Sequence, residues 1–159
     1  VTRPSAPVVF NGVVTDETDL GMPARKTIAL VAHDNMKDEL LGWALAHRDE
    51  LSRHVLIGTG TTGGMVAEAT GLAVERLRSG PLGGDQQIGA RISENACDVL
   101  LFFWDPLEPQ PHDPDIKALL RIAVVWNIPV ACNRASADFI MSSPHMTTDY
   151  VRRVPNHRR

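Results

Sequence analysis

Short apolar runs alternating with longer segments of helical period decide what this chain can fold into. The runs are 27–32, 54–57, 73–77, 98–103 and 128–131, and the segments between and after them that read as helices are 37–47, 61–70, 85–95, 115–126 and 135–141. "IALVA" and "VLLFF" are apolar at successive positions rather than at every second one, so both faces of those strands are expected to be covered. In 115–126, Ile116, Leu119, Leu120, Ala123 and Val124 share one face while Lys117 and Arg121 point away. Strand–helix–strand order needs crossover connections, which join parallel neighbours and lay helices over the sheet. The expected fold is α/β: a single domain with a doubly wound, mostly parallel five-stranded sheet and helices on both faces.

At 159 residues the chain has room for one core of ordinary size. Residues 1–22 show no sustained period and read as an N-terminal extension that need not be ordered. The domain proper is expected over 23–146, with 147–159 as a basic C-terminal tail. A formal charge of −3 excludes a general nucleic-acid or membrane-surface binder, since both need a clustered excess of Lys and Arg. No apolar run approaches the roughly 20 residues that cross a bilayer, and Val8, Val9 and Phe10 are too few for a signal-peptide core. The expectation is a cytoplasmic protein. Cys97 and Cys132 lie beside apolar runs without the spacing of a redox or zinc pair, and read as small buried residues. Trp104 and Trp126 read as packing residues.

In an open parallel sheet, ligands bind beyond the carboxyl ends of the strands, where the following helices begin. Four polar stretches follow the first four strands and so share that edge: His33-Asp34, "TGTTGG" from Thr59, "SGPLGGDQQ" from Ser79, and "WDPLEPQPHDPD" from Trp104. The opposite edge, as at 48–53, reads as solvated turns. "TGTTGG" opens a helix with three hydroxyls and reads as an oxyanion cradle suited to phosphate; the alternative is a helix cap whose glycines serve close packing. Gly58 to Gly63 also match G-x-G-x-x-G, but the acidic residue expected about 20 positions on is absent, because Glu75 comes too early. The Gly-Lys-Ser/Thr ending of a P-loop is missing too. Lys37, one helical turn past His33, can reach an anion on this edge.

The loop from Ser79 spends three glycines and Pro81 on presenting one carboxylate, Asp85, at a helix start. A plain capping aspartate is the alternative. The helix dipole there is expected to keep Asp85 ionised. Its company on the edge is Asp34, Asp105, Asp113, Asp115, His33 and His112, a set suited to proton transfer on a small phosphorylated substrate. A metal site in "HDPD" competes for the same residues, though its spacing matches neither the zinc-protease helix nor a calcium loop.

"PARKTIALVAHD", "TGTTG", "SGPLGGDQQIGA", "FFWDPL", "PHDPDIKALLR", "WNIPVACN" and "ADFI", over about 23–145, resemble the methylglyoxal synthase family in order and spacing. The resemblance implies conversion of dihydroxyacetone phosphate to methylglyoxal and inorganic phosphate, with no metal or organic cofactor, in a homohexamer restrained by phosphate. It implies Asp85 as the base that removes a C3 proton, His112 as the group that polarises the carbonyl and moves protons between oxygens, and Asp115 as its assistant. Asp34 and Asp105 are implied as supporting carboxylates. His33, Lys37, Thr59, Gly60, Thr61, Thr62, Ser79 and Gly80 are implied as substrate and phosphate contacts. Residues 1–22 match none of the family motifs quoted, and the tail "TTDYVRRVPNHRR" is shorter and more basic than the pattern leads one to expect. Two other classes stay open: an allosteric phosphate-sensing module without catalysis, as related domains form in larger synthetases, and a nicotinamide oxidoreductase resting on the glycine match.

Overall fold

Which face each strand residue turns to is set by the two-residue period, and that period organises the molecule. The computed structural model describes residues 9–10, 13–14 and 17–155, with side chains from residue 19 onward. In chain order the elements are β1 (Val9–Phe10), β2 (Val13–Val14), β3 (Glu17–Met22), β4 (Thr27–Ala32), α1 (Lys37–Ala46), α2 (Arg48–Leu51), β5 (Val55–Thr59), α3 (Gly60–Thr70) and β6 (Val74–Leu77). Then come α4 (Gly84–Ser93), β7 (Val99–Phe103), α5 (Asp113–Val125), β8 (Val130–Ala131), α6 (Arg134–Ser142) and β9 (Tyr150–Pro155).

The central sheet runs β6-β5-β4-β7-β8, with every neighbouring pair parallel. Ile28, Leu30 and Ala32 of β4 pack with Leu40 and Trp43 of α1, Val66 of α3 and Met141 of α6. Ala29 and Val31 turn the other way, onto Ile88 and Ile92 of α4 and Ile116 and Leu119 of α5. Helices therefore cover both faces of one domain, as the unbroken apolar runs require. Trp43 is wholly buried and its Nε1–H donates to Asp138 Oδ1 at 2.9 Å, so the largest core side chain keeps a partner for its polar atom. The chain leaves β4 for α1 on one face and β7 for α5 on the other. That reversal opens a crevice at the carboxyl ends of these two neighbouring strands, which is where such sheets take ligands.

The sequence reading needs correction at both ends. Residues 17–22 and 150–155 do not lie outside the fold: β3 and β9 pair antiparallel from Glu17↔Pro155 to Met22↔Tyr150. Leu20, Met22, Arg152 and Val154 are buried. The charge of "VRRV" hid this, because Arg152 is an internal residue whose guanidinium donates to Trp126 O, at the end of α5, and to Asn95 Oδ1, just past α4. Earlier still, β1 and β2 pair with each other. The turn at 48–53 contains α2, whose Leu51 is fully buried. Trp104 is 37% exposed rather than packed, and Cys132 is only partly covered. Among the described residues no helix is long and apolar enough to cross a membrane.

Candidate active site

Three loops and the ends of β4 and β5 close around a cavity of about 330 Å³ at the carboxyl edge. Among the residues read from the sequence, its walls carry His33, Asp34, Lys37, Thr59, Thr61, Thr62, Ser79, Gly80, Asp85 and His112. Four stretches separated by up to 79 positions thus meet in one place.

The hydroxyl wall comes from the junction of β5 and α3. Thr59 ends the strand in extended conformation, and its side chain makes no cap to the helix, which leaves its hydroxyl for a ligand. The first amides of a helix, here those of Thr61 and Thr62, lack an acceptor within the helix. Thr62 Oγ1 donates to Ala32 O across a long 3.5 Å. Gly60 does not line the cavity: its N–H donates to Arg78 O at 3.2 Å, and a Cβ there would come within 2.8 Å of Ser79 N. A Cβ on Gly58 would likewise meet Gly63 Cα at 2.8 Å. The glycine spacing that resembles a dinucleotide fingerprint therefore serves the close approach of α3 to the strand.

The loop before Asp85 is one tight structure. Ser79 O accepts from the amides of Leu82 and Gly84, both at 3.0 Å, and Gln87 Oε1 accepts from Arg78 N at 2.8 Å. Gly83 sits at φ +107°, a left-handed conformation that a residue with a Cβ takes only under strain. The restriction turns Asp85, in the first turn of α4, inward, where only 2% of it is exposed. Both carboxylate oxygens are buried without a hydrogen-bond partner among the described residues. His112 Nε2 stands 3.5 Å from Oδ2. A Cβ on Gly80 would lie 3.0 Å from that Nε2 and 3.2 Å from that Oδ2, so Gly80 is the floor on which the pair meets.

Burial pushes the Asp85 carboxyl above the usual carboxylate range; the imidazole of His112 opposes this and the charge of Asp115 adds to it. The helix start alone predicts a carboxyl held firmly ionised; desolvation outweighs the dipole here and makes Asp85 a stronger base than a free carboxylate. His112 caps α5 through its carbonyl, which accepts from Asp115 N at 2.9 Å and Ile116 N at 3.1 Å.

The remaining predicted residues divide. Asp34 is 92% exposed at the mouth and paired at 2.5 Å with Lys37 Nζ, whose hydrogen bond holds the Asp34 carboxyl below its ordinary range. Asp115 is not in the cavity wall; it lines an adjoining groove between α4 and α5 that it shares with Asp85. Asp105 is also outside the wall. Its carboxylate accepts from Asn35 Nδ2 at 2.9 Å and Leu107 N at 3.1 Å, and the Asn35 bond is the chief reason its carboxyl lies below the usual range. Gln110 and Pro111 line the cavity although the sequence reading passed over them. Their place inside the "EPQPHDPD" run, directly before His112, was the available signal. Among the described residues no three His, Cys, Asp or Glu side chains gather as a metal-holding group, so "HDPD" does not close into one.

Fold and pocket together define an MGS-like α/β domain, and a family model of that description, MGS-like domain, matches residues 39–132. Methylglyoxal synthase of Saccharophagus degradans is 62% identical over 136 residues, 86% of this chain and 88% of that one, and methylglyoxal synthase of Cellvibrio japonicus is 60% identical over the same shares. A crystal structure of methylglyoxal synthase from Elizabethkingia anophelis NUHP1 superposes with a TM-score of 0.84 at 53% identity, covering 88% of this chain and 92% of that one. The chain belongs to the methylglyoxal synthase family and is an enzyme, a lyase.

Proposed function

We propose that the chain converts dihydroxyacetone phosphate to methylglyoxal and inorganic phosphate, with Asp85 as the base. One observation carries this reading: a buried, unpartnered carboxylate stands 3.5 Å from an imidazole in a cavity whose wall holds Thr59, Thr61, Thr62, Ser79 and Lys37.

Asp85 takes one proton from C3, and the C–H electron pair forms the C2=C3 bond while the carbonyl oxygen becomes an oxyanion. A donor at that oxygen, His112, stabilises the charge and passes a proton between the two enediol oxygens. A lone pair on the C3 oxygen then restores a carbonyl, the double bond moves to C1=C2, and the C1–O bond breaks with its electrons leaving on phosphate. The released enol takes a proton at C1 and becomes the methyl group. Elimination needs the C1–O bond perpendicular to the enediolate plane; held in that plane, the same intermediate is reprotonated to an isomer instead. The hydroxyl cradle and Lys37 set that torsion. Inorganic phosphate, as product, competes for the same cradle, and a homohexamer belongs to this reading through the family resemblance.

Purified protein incubated with dihydroxyacetone phosphate in the presence of a chelator, with phosphate and dicarbonyl assayed together, tests this. Equal amounts of both are expected. Tight phosphate binding with neither product formed would leave the phosphate-sensing module instead.

A further inference from the structure

His33 is the one histidine of the cavity whose ring proton can be placed from its neighbours. It follows β4 directly, and its N–H donates to Phe103 O at 3.1 Å, so its backbone is held against the end of β7. The side chain is 5% exposed, edge-on to Phe102 at 5.1 Å and to His112 at 5.8 Å between ring centroids. The backbone N–H of Asp105 donates to His33 Nδ1 at 3.0 Å. An amide N–H can only donate, so Nδ1 presents its lone pair, and a neutral imidazole then carries its proton on Nε2. That Nε2 is buried and has no acceptor among the described residues.

Two residues keep the Asp105 amide in place. The Asp105 carboxylate ties back to Leu107 N, which folds the loop after β7, and Asn35 reaches over from the loop after β4 to Oδ2 of the same carboxylate. Two crossings 72 and 70 positions apart in sequence therefore fasten the loops around one ring. Burial and the neighbouring His112 push the His33 imidazole below its ordinary range, against the pull of Asp105, Asp113 and Asp34. A fixed donor without an acceptor among the described residues is the kind of buried group whose partner arrives with a ligand.

We propose that Asn35 and Asp105 are positioning residues that hold His33 neutral with its single ring proton on Nε2, so that the anion contact the family resemblance implies for His33 is made by donation from that nitrogen. The second half rests on the phosphate-ester reading of the site; the first does not. Asp105 thereby acts through its backbone amide, while its carboxylate anchors the loop.

Long-range proton–nitrogen NMR of the histidine-labelled protein reads the ring directly. In the wild type the His33 signal is expected to show bare Nδ1 and protonated Nε2, without charging at the ordinary histidine value of about 6.5. Asp105→Asn keeps the amide and an acceptor for the loop and should keep that signature. Asn35→Ala, which leaves the Asp105 charge in place, should give mixed tautomers and a higher apparent pKa, with kcat/KM lowered about tenfold and its acid limb moved to higher pH; Asp105→Ala should give mixed tautomers and a similar loss of kcat/KM. Inorganic phosphate added to the wild type should shift the Nε2 proton downfield. A proton on Nδ1 in the wild type, or a signature unchanged in both alanine variants, overturns the positioning role. No phosphate-induced shift overturns the acceptor assignment. Because the tautomer is read without turnover, absence of product from dihydroxyacetone phosphate would sink the proposed activity while leaving the positioning role standing on its own result.

Discussion

Replacing Asp85 by Asn should lower activity and raise stability together. The variant is nearly isosteric, so the pair with His112 at 3.5 Å keeps its shape while the base is lost. General-base catalysis contributes about 10² to 10⁴, and a buried carboxylate on which the whole sequence of bond changes depends belongs at the upper end. Turnover should fall by about three orders of magnitude or more, equivalent to about 4 kcal/mol of barrier. Stability moves the other way. The native carboxyl titrates above its unfolded value, so the wild type carries an ionisation penalty that is full above the native pKa and gone below the unfolded value of about 3.9. Asparagine removes the charge although its amide stays poorly paired, which returns about 1 kcal/mol or more at pH 7. For a chain of this size that is a Tm rise of about 2–4 °C or more. The gap between variant and wild type should close as the pH falls toward 4. Scanning calorimetry from pH 4 to 8, paired with the product assay, reads both arms. A folded variant that keeps more than a tenth of the activity, or a Tm that drops at pH 7, would refute the reasoning.

Gly80→Ala places a Cβ between His112 Nε2 and Asp85 Oδ2, at 3.0 and 3.2 Å; steady-state kinetics should show kcat down at least about tenfold, since displacements of this size disrupt reacting geometry. Thr61→Ala removes a hydroxyl from the cradle, and a hydrogen bond to a charged oxygen contributes about 1.5–3 kcal/mol; KM should rise about ten- to hundredfold and more isomerised product should appear, whereas unchanged kinetics would remove Thr61 from the cradle. Burial raises the Cys97 thiol to about 12, so mass spectrometry should find it unalkylated in the folded protein at neutral pH and modified once denatured.

The sheet was legible because its strands are apolar on both faces, and only a buried parallel arrangement suits such runs. That arrangement put the carboxyl-edge loops in one crevice, and His33, Thr59, Thr61, Ser79, Asp85 and His112 do line one cavity. What escaped the reading depended on partners distant in sequence. Arg152 looks like a solvated tail residue until the carbonyl of Trp126 and the side chain of Asn95 are brought to it. Asp105 looks like one more carboxylate of the edge, yet it is the direction of its backbone amide toward His33 that matters. Asn35 carries no charge and no spacing signal, and gains a role only when the loops after β4 and β7 cross. The raised Asp85 carboxyl follows from burial, a quantity that helix position alone does not supply.

Running the reaction with dihydroxyacetone phosphate in deuterium oxide, and following the products by NMR beside the Asp85→Asn variant, tests proton removal at C3 and elimination at C1 in a single tube. The account predicts methylglyoxal whose methyl group carries one deuterium and whose aldehyde hydrogen comes from the substrate, with neither signal in the variant. A fully protiated methyl group, or the same product at the same rate from the variant, would contradict it.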